Sequence, residues 1–277
     1  MNKQTSHAAA IRDWILSTAR SGHSIEDMVD MMVRTGYTAR QARRLVAEHL
    51  NRPAIAIPVA DTRQDGQRTR HPEPPFMMAD NRRIPVSMSM ESPTVRVLES
   101  VLDDAECDEL IEQARPRLVR SRTVTDAGTH EISEARTSSG MFFMVSETEL
   151  ITRLEYRIAE LLNLPVENGE GLQILHYEPG QQYEPHYDWF DATQAGYKGL
   201  TEHGGERIAS FIMYLNTPEG GGGTHFPRAN FTVSARKGSA VYFAYENGDK
   251  SSLHAGLPVT KGEKWIATKW LRERPYR

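Results

Sequence analysis

From Leu172 to the C-terminus the sequence breaks, every few residues, into a new short apolar run. The segments LQILHYE, EPHYDWF, RIASFIMYLN, THFP, FTVSA, GSAVYFAYE, SLHAGLPV and KWIATKWL are rich in β-branched and aromatic residues, with Gly, Pro and Asn between them. Runs of this length and composition are strands joined by turns. Many short strands with few helices among them predict a mainly β fold, a jelly-roll or barrel, packed against supporting helices. Two such helices precede it, after a strand in TVRVLESVL. Asp103 and Glu106 cap the first, which buries Leu110, Ile111 and Ala114 before Pro116. Ser146 and Glu149 have capping-box spacing for the second, along which Leu150, Leu154, Ile158 and Leu161 recur until Pro165.

The first fifty residues follow a different rule. Residues 8–50 read as three short helices, so a small N-terminal helical bundle is expected over 1–50. Its first helix buries Ile11, Trp14 and Ile15. The second has Ile25, Met28, Val29 and Met32 on one face, Ser24 as cap and Gly36 just past its end. Thr38 and Gln41 start the third, which buries Ala42, Leu45 and Val46. Residues 51–91, rich in Pro and Arg and without sustained periodicity, read as a linker, which leaves 92–277 as the main domain. The bundle is a helical appendage whose candidate ligand is a protein partner.

Composition narrows the function classes. A formal net charge of -4 argues against a nucleic-acid-binding surface over the whole chain. Cys107 is the single cysteine, so neither a disulfide within the chain nor a cysteine-based zinc site is available. The N-terminus lacks the apolar core of a signal peptide and no run approaches membrane-spanning length; the expectation is a cytoplasmic protein without membrane contact. PEGGGGTHFP lacks the GK[ST] of a phosphate loop and is assigned to a turn.

Within YEPHYDWF, a strand would put His186 and Asp188 on one face and Tyr187 and Trp189 on the other. An imidazole and a carboxylate side by side suit a salt pair, a general-base dyad or two ligands of one metal. His176, His225 and His254 lie in strand-like sequence and are candidates for a third ligand. His254 is far enough along the chain for antiparallel folding to bring it opposite. Two imidazoles and a carboxylate with open positions suit non-haem Fe(II), with zinc as the rival. Taken alone, an HxD pair reads more simply as a surface salt pair, with His254 capping a strand.

Lys264, ten residues past His254 in HAGLPVTKGEKWIATKWLRER, changes that balance. Together with RTSSGMFF, LQILHYEPGQQYEPHYD, RIASFIMYLN, GGGTHFP and KGSAVYFAY, it makes the chain from about Val95 to Arg272 resemble the prolyl 4-hydroxylase branch of the Fe(II)/2-oxoglutarate-dependent dioxygenases. The resemblance implies a double-stranded β-helix. It implies His186, Asp188 and His254 as iron ligands and Lys264 as the cation for the distal carboxylate of 2-oxoglutarate. It further implies Tyr177 and Thr224 as cosubstrate contacts and Arg207 as a substrate-binding residue. Fe(II), with 2-oxoglutarate and O2 as cosubstrates and ascorbate as a candidate reductant, would hydroxylate a peptidyl side chain, proline first, releasing succinate and CO2. A buried ammonium is costly unless an anion pairs with it, which suits Lys264 to that task. Lys269 points to the other face and is structural; His176 and His225 are packing or near-site residues. The long polar segments RSRTVTDAGTHEISEARTSSG and DATQAGYKGLTEHGGE are candidate lids. Two rivals remain: a hydroxylase of a free amino acid or small metabolite, and a non-catalytic barrel that binds a partner. The nucleic-acid demethylase branch is disfavoured, since it carries arginine where Lys264 stands.

Overall fold

The computed structural model describes residues 3–21, 23, 25–35, 42, 45–46, 49–50, 75–125 and 127–276. The chain divides into two compact units, Met1–Arg68 with Leu162–Leu164, and Thr69–Leu161 with Pro165–Arg277.

In the N-terminal unit, helices Lys3–Arg20 and Ile25–Arg34 share an apolar core of Ile15, Met28, Val29 and Met32, joined by Ala42 and Val46. Ile11, Ile15 and Ala19, spaced four apart, form the buried stripe of the first helix. Trp14 stands at the edge of that stripe and is exposed, contrary to the expectation that it is buried. Ser24, Gly36, Thr38 and Gln41, the expected caps, lie outside the described residues, as does most of the third helix. No described helix is long and apolar enough to cross a membrane.

The second unit is built on antiparallel strands. The first three are β1 (Phe76–Ala79), β2 (Arg82–Glu91) and β3 (Thr94–Leu98). After a helix at Asp104–Ala114 come β4 (Val119–Arg120), β5 (Thr123–Val124), β6 (His130–Glu131) and β7 (Ser139–Phe143). A second helix, Glu149–Leu162, leads into β8 (Leu172–Tyr177), β9 (Tyr183–His186) and β10 (Arg207–Tyr214). There follow β11 (Gly220–Gly221), β12 (Thr224–Phe226), β13 (Phe231–Val233) and β14 (Ala240–Ala244). The last are β15 (His254–Gly256), β16 (Val259–Lys261) and β17 (Lys264–Arg272).

Among the described residues, the large sheet runs β1-β2-β3-β14-β10-β17-β8-β7-β4 and the smaller one β13-β12-β15-β9. Their facing sides share one core, in which Leu175, Ile212 and Ile266 of the large sheet meet Phe226 and Val233 of the small one. This two-sheet arrangement accords with the jelly-roll expected from the strand rhythm. Helix Glu149–Leu162 lies on the opposite side of the large sheet, where Glu155 accepts from Lys269 Nζ at 2.6 Å.

Two local expectations are corrected. Phe76–Glu91, expected as the end of a linker, forms β1 and β2, with Met88 and Met90 packed on the core. Pro85 obscured this in the sequence; it sits where only its carbonyl is needed, accepting from the Glu99 amide at 2.9 Å. The Asp103–Glu106 capping box forms as expected. For the next helix, Thr148 rather than Ser146 accepts from the first turn, at the Ile151 amide. Ser146 instead donates its amide to Glu155.

Candidate metal centre and its pocket

Strand pairing decides which side chains meet. In the β9–β15 register His254 lies directly opposite His186, and directly paired residues project to the same side of a sheet. Their rings lie 4.2 Å apart. β9 ends at His186, so Asp188 follows in a bend rather than on the strand. It still turns inward: Asp188 Oδ1 is 3.6 Å from His186 Nε2, and Oδ2 is 3.5 Å from His254 Nε2. The three ligand atoms lie within 4.8 Å of one another.

Each imidazole is oriented from behind. His186 Nδ1 lies 2.8 Å from the Glu184 carbonyl oxygen, and His254 Nδ1 lies 3.0 Å from that of Ser252. Carbonyl oxygens only accept, so Nδ1 carries the proton in both rings and each Nε2 presents a lone pair toward Asp188. Burial, with His254 beside it, pushes the His186 imidazole well below its ordinary pKa, which keeps it neutral. Burial would raise the Asp188 carboxyl, but His254, His186, Arg207 and Ser210 outweigh it and hold the acid ionised. Ser210 Oγ donates to Asp188 Oδ2 at 2.5 Å and lies 2.9 Å from the Tyr245 hydroxyl. Two neutral imidazoles and one anionic carboxylate, all converging, match the donor set of a divalent non-haem iron site.

Beside the triad lies a small pocket walled by Leu175, Ile212 and Ile266, with Lys264 among its lining residues. Lys264 pairs across the sheet with Tyr177 and sits 5.2 Å from that ring. It is 2 % exposed, and no carboxylate of the described residues compensates it; burial alone pushes its ammonium down to about 8. Gly222, at φ +72°, makes room for it, since a Cβ there would stand 3.2 Å from Lys264 Cδ. The tetraglycine turn thus serves the pocket. Thr224, also lining it, accepts from the Tyr214 hydroxyl at 2.7 Å, so its own proton is free for a ligand.

Arg207 is engaged within the protein itself. Its guanidinium forms a two-pronged pair with Glu170, at 2.7 and 2.9 Å, and reaches the Asp188 carbonyl oxygen at 3.4 Å. Glu170 also accepts from Arg272 Nε at 2.7 Å. Burial alone would raise the Glu170 carboxyl, yet the two arginines hold it below the usual range. Arg207, 12% exposed, thus supports the Asp188 segment from behind. His176 packs on Trp265 and pairs with Glu263, while His225 bonds Thr232; neither joins the triad.

Four pocket-side residues were given no role from sequence: Arg136, Tyr183, Ser210 and Trp270. Tyr183 stacks on His186 with ring centres 3.5 Å apart. Arg136 Nε and Trp270 Nε1 are buried without a hydrogen-bond partner. Arg136 and Trp270 sit in quoted motifs, but only the fold shows which of their atoms lack partners. The two long polar segments form the β5–β6 hairpin and the helix Tyr197–Glu202, and they meet where Gly196 abuts Gly128 too closely for a Cβ.

The profile of the 2OG-Fe(II) oxygenase superfamily matches residues 172–272. The chain is 40% identical over 209 residues to a probable prolyl 4-hydroxylase of Arabidopsis thaliana, covering 67% of this chain and 71% of that protein. It is 39% identical over 210 residues to prolyl 4-hydroxylase 5 of the same plant, covering 67% and 70%. Among solved structures it is similar to a viral collagen prolyl hydroxylase from Paramecium Bursaria Chlorella virus-1 in complex with 2OG. That likeness has a TM-score of 0.52 and 33% identity, and covers 64% of this chain and 95% of the viral one.

Proposed function

This chain belongs to the prolyl 4-hydroxylase-like branch of the 2OG-Fe(II) oxygenase superfamily, and we propose that it hydroxylates proline within a polypeptide. His186, Asp188 and His254 would hold Fe(II). Bound there, iron supplies the oxygen activation that couples decarboxylation of 2-oxoglutarate, to succinate and CO2, with hydroxylation of the substrate.

The protein's own groups prepare that chemistry. Each Nδ1–H donates to a carbonyl oxygen, that of Glu184 or Ser252, which holds the Nε2 lone pair of each imidazole toward the centre. Ser210 Oγ–H donates to Asp188 Oδ2, which leaves Oδ1 as the less encumbered ligand atom. The Lys264 ammonium pairs with the distal carboxylate of 2-oxoglutarate, and the Thr224 hydroxyl donates to the same group. Leu175, Ile212 and Ile266 exclude water from the cavity. In the pocket lining, Arg136 Nε and Trp270 Nε1 are buried, unpartnered donors that suit the carbonyl oxygens of a peptide backbone.

The observation that carries this reading is a convergent His-Asp-His set beside a buried lysine with no counter-charge. The test is to incubate the iron-loaded protein with 2-oxoglutarate, ascorbate and a panel of proline-containing peptides. Succinate release and a +16 Da product that yields 4-hydroxyproline on hydrolysis are expected. Ready hydroxylation of free amino acids, with no product from any peptide, would overturn it.

A further inference from the structure

The side of the large sheet that carries the pocket continues beyond it onto β7 and β4. Phe142 pairs with Gln173, and Gln173 with Thr268, so these side chains share one side of the sheet. Thr268 and Trp270 line the pocket, and the Phe142 ring stands 6.5 Å from the Trp270 ring. Gly171 lies beside them, where a Cβ would stand 3.9 Å from the Phe142 ring. On β4, Val119 is the direct partner of Gly140, two residues before Phe142, which places Val119 diagonally next to that ring.

The neighbours of Phe142 on its own strand, Met141 and Phe143, are buried on the opposite side. Phe142 itself is 51% exposed and Val119 67%; Met144, just past the strand, is 75% exposed. A single exposed apolar side chain is ordinary, whereas several grouped on one side of a sheet, continuous with a pocket, mark a binding surface. The pocket end of this strip carries Trp270 Nε1, buried and unpaired. A polypeptide meets both needs at once, with carbonyl oxygens for the donor and side chains for the apolar strip.

We propose that Val119 and Phe142 form a shelf that receives a bulky apolar side chain flanking the hydroxylated residue. The shelf thereby sets the sequence preference of the enzyme. This rests on the reading of the pocket as a polypeptide hydroxylase. The shelf is neither a metal ligand nor a cosubstrate contact, so it acts on substrate affinity and leaves the chemical step alone.

The test uses the full-length, iron-loaded protein and two proline peptides that differ only in the flanking residue, leucine or serine. The wild type should show a KM for the leucine peptide about tenfold below that for the serine peptide. Phe142→Ser should remove most of that difference by raising the leucine-peptide KM, with kcat unchanged, and Phe142→Leu should restore it. Val119→Ser, at the more exposed position, should act in the same direction by about threefold. Equal wild-type KM values would overturn the shelf while leaving peptide hydroxylation standing. So would a Phe142→Ser variant that weakens both peptides alike, which would make Phe142 a prop for Trp270. Loss of a dimer in light scattering, with the flank preference intact, would assign the surface to a second copy of the chain instead. If no proline peptide is hydroxylated by the wild type, the polypeptide reading itself fails, and the shelf with it.

Discussion

Lys264 and Lys269 lie on opposite sides of the same strand, β17, and both are buried. Lys269 faces the helix Glu149–Leu162 and meets the Glu155 carboxylate at 2.6 Å. Burial pushes its ammonium down, while Glu155 pulls it back up. Lys264 faces the jelly-roll interior, where burial acts alone. A buried charge with its partner in place completes a structure; a buried charge without one makes a site for an anion. The difference between the two sides of β17 is the difference between scaffold and pocket.

The largest test of that division lies on the pocket side. Asp188→Ala should lose iron binding, read by metal analysis, and reduce 2-oxoglutarate turnover by about a thousandfold or more, while circular dichroism shows the fold intact. Retained metal and turnover would break the assignment. Lys264→Met should come next, weakening 2-oxoglutarate binding by roughly a hundredfold or more in calorimetry, because the pocket loses the buried ammonium that would pair with the distal carboxylate. Its thermal stability should hold or rise, since the substitution removes an uncompensated buried charge.

Lys269→Met should do the reverse. Stranding the buried Glu155 carboxylate should cost about 3–5 kcal/mol in denaturant unfolding, with 2-oxoglutarate affinity of the folded protein kept within about twofold. If the two lysine variants gave the same phenotype, the comparison would fail. A smaller effect tests the support of the triad: Ser210→Ala should weaken iron affinity by about tenfold, in the range for lost partners of metal ligands.

The last prediction concerns pH. The folded-state pKa of Lys264 is lowered from 10.5 to about 8. Between those values the unfolded chain holds the proton that the folded protein releases. Metal-free stability relative to Lys264→Met should therefore rise with pH across that window and be flat below it. Binding of 2-oxoglutarate requires the charged lysine, so its affinity should fall by about tenfold between pH 7 and pH 9. Calorimetry at both values checks this, and an unchanged affinity would show that another group holds the carboxylate.

Much of the site was legible in the sequence because its signals are short-range or in fixed order. His186 and Asp188 are two residues apart, and Lys264 follows His254 by ten within a strand-like tail. The assignment of Lys269 to the other side needed only the alternation of side chains along a strand. The pairing of Arg207 with Glu170 was not legible because the two lie 37 residues apart, with Glu170 before β8, where nothing local couples them. β1 and β2 were missed because β1 is only four residues long and Pro85 interrupts β2; pairing of β1 with β2 and of β2 with β3 establishes them.

By itself, then, the sequence determined which residue types carry the chemistry and that a mainly β framework of short strands carries them, since both follow from local spacing and side-chain alternation. Register was decided only in the folded molecule: His254 opposite His186, Lys264 opposite Tyr177, Phe142 in line with Gln173 and Thr268. So was the fate of each buried charge, with Lys269 and Glu155 meeting across 114 residues while Lys264 meets no carboxylate among the described residues. The physical reason is that a charge or a hydrogen-bonding group takes its role from whatever lies within about 3 Å of it. In an antiparallel fold that neighbour comes from a distant part of the chain.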